Sequence, residues 1–140
     1  PRSTLFPYTT LFRSNEIELT VSGIDDIWIE GNEILLGWAI ENVIRNGIDS
    51  IQSEKGKVNI SISSDNESGI IQIQDNGAGI LKKDWKNIFR PGFSTKERGW
   101  GLGLSLVNRI INEIHDGEIK VLHSKIGFGT CFEIRIKKSA

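Results

Sequence analysis

Asn42 and Asn46 lie four residues apart in a stretch of helical periodicity, so their side chains stack one above the other. They fall to one side of the apolar face, beside Ala39 and Leu35. Two carboxamide oxygens aimed at one spot suit Mg²⁺, a hard cation that keeps several waters and shares ligands with phosphates. On spacing alone, two solvated polar residues on a helix flank account for the pair as well. A second group follows in Ile71-Gln72-Ile73-Gln74-Asp75-Asn76-Gly77-Ala78-Gly79-Ile80. In a strand, positions 71, 73 and 75 share a face, so Asp75 continues the inward parity of two isoleucines. A carboxylate there must find donors or it is costly, and a ligand amino group is one candidate. Gly77 and Gly79 let the backbone turn and approach a flat ligand closely. An ordinary Asp-Asn-Gly turn at a strand end reads the same way.

A third group, Gly99-Trp100-Gly101-Leu102-Gly103-Leu104-Ser105, has glycine at every second position and opens into an amphipathic helix. Free N–H groups and the helix dipole at such a place favour anions, phosphates above all. Glycines for tight helix packing are the alternative. The run lacks the Gly-Lys-Ser/Thr ending of a P-loop. It also fails the dinucleotide fingerprint, because its sixth position is Leu104 and no strand precedes it. Between the second and third groups, Ile88-Phe89-Arg90-Pro91-Gly92-Phe93-Ser94-Thr95-Lys96 brackets a Pro-Gly turn with aromatics and ends in hydroxyls and a lysine. The aromatics could anchor a lid and Lys96 could reach phosphates; taken alone, the segment is an ordinary loop.

The elements that would carry these groups follow from periodicity. Ile17, Leu19 and Val21 alternate, then Ile27 and Ile29, which predicts strands on either side of a turn at 23–26. Asn32 can cap a helix, with Leu35 at its third helical position and no capping box. Leu36, Ile40, Val43, Ile44, Gly47, Ile48 and Ile51 predict a long helix over Glu33 to Ser53. Val58, Ile60 and Ile62 form a strand, residues 65–69 a turn, and Ile71 and Ile73 a second strand. Residues 76–100 read as a long loop with a short helical piece near Asp84 to Phe89, and loops of that length in compact domains are usually functional or mobile. Leu102, Leu106, Ile110 and Ile114, widened by Val107 and Ile111, predict a helix that Gly117 stops. Ile119 and Val121, a turn at 126–129, and Phe132, Ile134 and Ile136 complete a last hairpin. Strands, helix, two strands, loop, helix and two strands make an α+β two-layer sandwich, with a mixed, mostly antiparallel sheet and helices on one face.

The 140 residues fit one domain with a single core. A net charge of -1 gives no global basic excess of the kind nucleic-acid binding uses. Cys131, the single cysteine, excludes an internal disulfide framework and a multi-cysteine metal site; it lies in an alternating apolar stretch and reads as a small buried side chain. No apolar run approaches the ~20 residues that cross a membrane. The chain contains no methionine, and residues 1–14 are rich in Thr, Ser, Phe and Pro without periodicity. They read as a non-native leader, a translated adapter or vector scar, on a fragment whose domain runs over 15–140.

In this order, the four groups resemble the boxes of the Bergerat-type ATPase superfamily, which includes histidine kinases, gyrase-type topoisomerases, certain chaperones and mismatch-repair ATPases. Glu41-Asn42-Val43-Ile44-Arg45-Asn46 resembles the N box, and Asp75 to Gly79 the first glycine box. Phe89 to Lys96 resembles the F box, and Gly99 to Ser105 the second glycine box. The resemblance runs from about Asn15 to Lys138, nearly all of the chain beyond the leader. The F box, the run Gly101 to Val107 and the ending Gly127 to Phe132 are similar to histidine kinases in particular. Topoisomerases and chaperones place a water-activating glutamate four residues before the metal asparagine; here that position is Asn42, and Glu41 is about 100° away round the helix. That departure favours phosphoryl transfer over hydrolysis.

The resemblance implies ATP and Mg²⁺ as ligands. Asn46 would ligate Mg²⁺ and Asn42 would assist at the metal or phosphates; Asp75 would accept from the adenine amino group, with Gly77, Gly79 and Ile80 shaping the adenine pocket. Phe89, Thr95 and Lys96 would belong to the lid. Gly99, Gly101 and Gly103 would form its phosphate-side hinge, with Leu102, Leu104 and Ser105 opening the helix behind it. Thr130 would support the adenine site through water. Many kinases carry a basic residue three past the metal asparagine; here it is Asp49, which leaves Arg45 or Lys96 as candidates for phosphate contact. His115 and His123 read as structural or exposed, not as phosphoacceptors. The implied function is the ATP-binding catalytic domain of a two-component sensor histidine kinase, with an anti-sigma-type serine kinase or a non-catalytic nucleotide-binding module as alternatives. Its expected partners are the kinase's own phosphoacceptor helical hairpin, which this chain lacks, and a response regulator; neither nucleic acid nor direct membrane contact is expected. A cytoplasmic location is expected, compatible with a membrane-anchored parent.

Overall fold

A computed structural model of the chain describes residues 16–23, 26–53, 55–93 and 103–139. The expected leader, residues 1–14, lies outside the described residues. Strands β1 (Glu16–Gly23), β2 (Lys55–Ser64), β3 (Ser68–Asp75), β4 (Glu118–Lys125) and β5 (Gly129–Lys137) form one sheet in the order β1-β2-β3-β5-β4. β1 runs parallel to β2, with Leu19 opposite Val58, and the other three pairings are antiparallel. The mixed, mostly antiparallel sheet expected from the sequence is the sheet observed. Its inner face carries Val58, Ile60, Ile73, Phe132, Ile134 and Ile136, all buried. Phe132, at 1% exposure, is the largest fully buried side chain among the described residues, and burial of one such ring contributes roughly 1.5–3 kcal/mol.

Helix α1 (Glu33–Ser50) lies against that face through Leu36, Ala39, Val43, Ile44, Gly47 and Ile48. Asn32 caps it as expected, its side chain accepting the Leu35 N–H at 3.0 Å. The helix ends at Ser50, short of the expected Ser53. Ile51 turns to an extended conformation and buries its side chain over Gly56, where even a Cβ would lie 2.9 Å from the Ile51 Cδ1.

Three further local expectations differ from the structure. Ile27 and Ile29 form no second strand: Ile29 makes one bridge to Lys138, and both isoleucines fill the space over Gly69, where β3 and β5 begin and end. In the 76–100 loop, the described part contains two short 3₁₀ turns, Lys82–Asp84 and Asn87–Phe89, in place of one helical piece. Helix α2 (Gly103–Asn108) widens into a π turn over Arg109–Ile114. Of the expected stripe, Val107, Ile110 and Ile111 are buried, and the wider winding that begins at Arg109 turns Ile114 out of it. Leu106 and Ile114, which strict four-residue spacing would bury, are 37% and 59% exposed.

Candidate functional site

Asp75 ends β3 on the inner face and is 3% exposed. Its Oδ1 accepts the N–H of Gly77 at 2.8 Å and that of Thr130, its partner across β5, at 3.3 Å. The Ser50 hydroxyl lies 3.5 Å from the same oxygen and donates more closely, at 2.8 Å, to the Gly47 carbonyl. The donors that a buried carboxylate needs are thus supplied by the turn after its own strand and by β5, with the Ser50 hydroxyl of α1 packed beside them. Asn76 locks the strand end from outside: its Oδ1 accepts from Lys57 N–H at 2.7 Å and its Nδ2 donates to the Lys55 carbonyl.

The glycines around Asp75 are there because other atoms occupy the space a side chain would need. A Cβ on Gly77 would collide with the Ser50 hydroxyl, and one on Gly129 with the Asp75 carbonyl. Gly79 (φ 85°) and Gly129 (φ 129°) also take backbone conformations closed to most L-residues. The loop they shape is clamped on both sides. Ala78 N–H donates to the Ser50 carbonyl, and Gly127 N–H donates to the Ala78 carbonyl at 2.8 Å.

Beyond Thr130 the network continues through Ser124. Its hydroxyl is 2.8 Å from Ile80 N–H, 3.0 Å from the Gly129 carbonyl and 2.7 Å from Thr130 Oγ1. The Ile80 carbonyl accepts from Trp85 Nε1–H at 3.0 Å, which fixes the entrance to the loop. Behind this network lies Cys131, whose thiol burial, aided by Glu133 and Asp75, pushes up to about 11.

On α1, Asn42 and Asn46 are both half-buried. Asn42 Nδ2 donates to the Trp38 carbonyl at 2.8 Å, which commits the amide nitrogen to the helix and turns the carbonyl oxygen away from it. Glu41 reaches Arg45 at 3.7 Å along the helix, so the adjacent carboxylate and the nearest basic candidate engage each other. Two carboxamide oxygens on one flank are hard ligands of the type Mg²⁺ takes. Phe89 packs edge-on to Phe132, with ring centroids 6.3 Å apart. Leu104 lies against the core and Ser105 is buried, while Gly103, at the start of α2, is exposed. Thr95, Lys96, Gly99, Gly101 and Leu102 lie outside the described residues.

Sequence reasoning missed Ser50, Ser124 and Gly129. Ser50 carries a signal, since it falls one helical turn after Asn46. Ser124 carries none, because strand alternation assigns its inward place to His123.

A family model described as histidine kinase-, DNA gyrase B-, and HSP90-like ATPase matches residues 31–140. Sporulation kinase C of Bacillus subtilis (strain 168) is 35% identical over 132 residues, which cover 94% of this chain and 30% of that protein. The signal transduction histidine-protein kinase AtoS of Escherichia coli (strain K12) is 41% identical over 108 residues, 76% of this chain and 17% of that protein. The chain thus spans less than a third of either relative. Among solved structures, the catalytic domain of histidine kinase ThkA superposes with a TM-score of 0.85 at 24% identity, covering 99% of this chain and 92% of that one. ThkA is also known in complex with the response regulator TrrA, a structure that matches with a TM-score of 0.74 at 23% identity over 88% of this chain and 34% of that one.

Proposed function

The chain belongs to the histidine kinase-, DNA gyrase B- and HSP90-like ATPase family as an ATP-binding catalytic domain of the histidine kinase type, and from that premise we propose that it binds ATP with Mg²⁺ at Asp75 and the Asn42–Asn46 flank and presents the γ-phosphoryl to a histidine on a separate helical hairpin. The observation that carries this reading is the buried Asp75 carboxylate, held by two backbone N–H groups at the end of β3.

Asp75 accepts from the adenine amino group, and Gly77 and Gly79 keep side chains out of the base's way. Asn46, assisted by Asn42, holds Mg²⁺, which when bound neutralises phosphate charge. Phosphoryl transfer asks the protein mainly for positioning and charge compensation, which suits amide ligands and a rigid base pocket better than a water-activating carboxylate. Glu41 is engaged with Arg45 and so is not offered as a general base. Phe89 anchors one end of the lid on Phe132, and Gly103, Leu104 and Ser105 begin the helix at its other end. The proposed lid residues Thr95, Lys96, Gly99, Gly101 and Leu102 complete the phosphate side. The proposed partners are the phosphoacceptor hairpin and a response regulator; the complex of ThkA with TrrA supports the second. Among the described residues no helix is long and apolar enough to cross a membrane, and a cytoplasmic location is proposed for the domain.

Calorimetric titration with ATP, with and without Mg²⁺, tests the site. Mg²⁺-dependent binding is expected, weakened in both Asp75→Asn and Asn46→Ala. A folded wild-type chain that gives no heat would refute the nucleotide site. With a phosphoacceptor hairpin and a response regulator added, acid-labile phosphate on histidine supports the kinase assignment, whereas acid-stable phosphate on serine or binding without transfer contradicts it.

A further inference from the structure

A β-bulge between Val121 and His123 decides which side chain of β4 reaches the site. Alternation from Ile119 and Val121, both buried, would send His123 inward. The extra residue instead leaves His123 exposed and sets Ser124 opposite Thr130, on the face that Thr130 shares with Asp75.

The three contacts of Ser124 fix the direction of its hydrogen bonds. An N–H only donates, a carbonyl only accepts, and a serine hydroxyl has one proton. Ser124 therefore gives its proton to the Gly129 carbonyl at 3.0 Å and accepts from Ile80 N–H at 2.8 Å. The 2.7 Å contact with Thr130 Oγ1 is then donated by Thr130. This is the one assignment that satisfies all three contacts. Thr130 spends its only hydroxyl proton on Ser124 and turns lone pairs alone toward anything else. The Asp75 carboxylate beside it is likewise an acceptor.

We infer that Ser124 is a positioning residue for nucleobase selection: by taking the proton of Thr130 it makes this end of the site acceptor-only, which favours a purine with an amino group at ring position 6 over one with a carbonyl there. The inference rests on the ATP-site reading above and adds a residue to it. A site whose buried polar groups match one hydrogen-bonding pattern rejects the reversed pattern, because its groups would be left unpaired.

The test is the ratio of affinities of the full chain for ATP and inosine triphosphate, measured by calorimetry with Mg²⁺ present. The wild type is expected to prefer ATP. Ser124→Ala frees the Thr130 hydroxyl to donate, and the ratio is expected to fall roughly three- to tenfold, the worth of one hydrogen bond. Loss of the Ile80 tether alone would weaken both nucleotides alike; an unchanged ratio would therefore overturn the inference. In a Thr130→Val background, Ser124→Ala is expected to leave the ratio where Thr130→Val put it, and a further fall counts against the inference. If Ser124→Ala does not fold, Thr130→Val decides alone: a wild-type ratio in that variant overturns the role. A folded wild-type chain that binds neither nucleotide refutes the ATP-site reading itself, whereas ATP binding with a ratio indifferent to Ser124 refutes only the inference.

Discussion

Gly47 of α1 faces the carboxylate of Asp75 so closely that a methyl group on Gly47 would stand 3.0 Å from Oδ2 and 3.3 Å from the Asp75 Cβ. The helix that carries the two asparagines is thus also the wall behind the buried carboxylate. Two opposing terms set the outcome of substitution. Alanine gains about 1 kcal/mol in a helix interior over glycine, and the neighbouring carboxylate must yield by a few tenths of an ångström. Gly47→Ala is therefore expected to change stability by no more than about 1 kcal/mol. Gly47→Val adds two further methyl groups against Asp75, and overpacking of this kind costs about 1–3 kcal/mol. That variant is expected to weaken ATP binding roughly tenfold or more, beyond its loss of stability. Titration beside thermal unfolding checks both, and a Gly47→Val chain with wild-type affinity would show that Asp75 does not depend on this wall.

His115 joins the end of one helix to the start of the other. Its Nε2 accepts the Asn32 N–H at 2.9 Å, which leaves the proton on Nδ1 to reach the Ile110 carbonyl at 2.7 Å. One bond satisfies the N-cap residue of α1, and the other adds a second donor to the Ile110 carbonyl in the π turn after α2, which also accepts the His115 backbone N–H at 3.1 Å. His115→Ala is expected to destabilise the fold by about 1–3 kcal/mol, the worth of two modest hydrogen bonds and the packing around them. Gly31→Ala is expected to act in the same direction, since its Cβ would stand 2.7 Å from the ring Cδ2. Urea unfolding of the two variants measures this, and a midpoint unmoved in both would remove the tether from the account.

Much of this arrangement was legible in the sequence. Asn32 and the apolar stripe from Leu36 to Ile48 give α1 because helical periodicity and a capping side chain agree, although its end at Ser50 falls short of the expected Ser53. The alternation of Val58 with Ile60, of Ile71 with Ile73 and of Phe132 with Ile134 gives three strands with the correct faces, and it puts Asp75 inward. Periodicity hides what breaks periodicity. The bulge that sends Ser124 inward and the π turn that exposes Ile114 each insert a residue's worth of rotation that no local residue type announces. Ile27 and Ile29 alternate like a strand, but they pack over Gly69, a tertiary contact that β-propensity cannot see.

Cys131 is expected to be inert in the folded chain. It is 3% exposed, and burial first, then the negative charges of Glu133 and Asp75, push its thiol up to about 11. At pH 8 only about one thiol in a thousand is then ionised, and the thiolate is the species that reacts. Iodoacetamide should label the native protein very slowly and the urea-unfolded protein readily. Rapid stoichiometric labelling under native conditions would mean that β5 opens far more often than a central strand should.

On the sheet, Arg135 joins two carboxylates whose titration should set the acid limit of the fold. The backbone N–H groups of Ser68 and Glu67, with Arg135 adding to them, hold Asp65 below its ordinary 3.8. Burial pushes Glu133 upward, but donation from Gln72 and Arg135, each at 2.9 Å, outweighs it and leaves Glu133 below its ordinary 4.5. Both groups are more acidic folded than unfolded, so the unfolded chain takes up protons first as the pH falls. Their stabilisation is whole above about pH 5 and is lost as the pH drops through 4.5 and 3.8 toward the lower folded-state values. The thermal midpoint of the wild type should therefore fall steeply below about pH 5. Asp65→Asn and Glu133→Gln should unfold earlier than wild type at neutral pH and converge with it in acid. Midpoints measured from pH 7 to pH 3 decide the matter, and a gap that stays constant over that range would mean the carboxylates contribute packing and not charge.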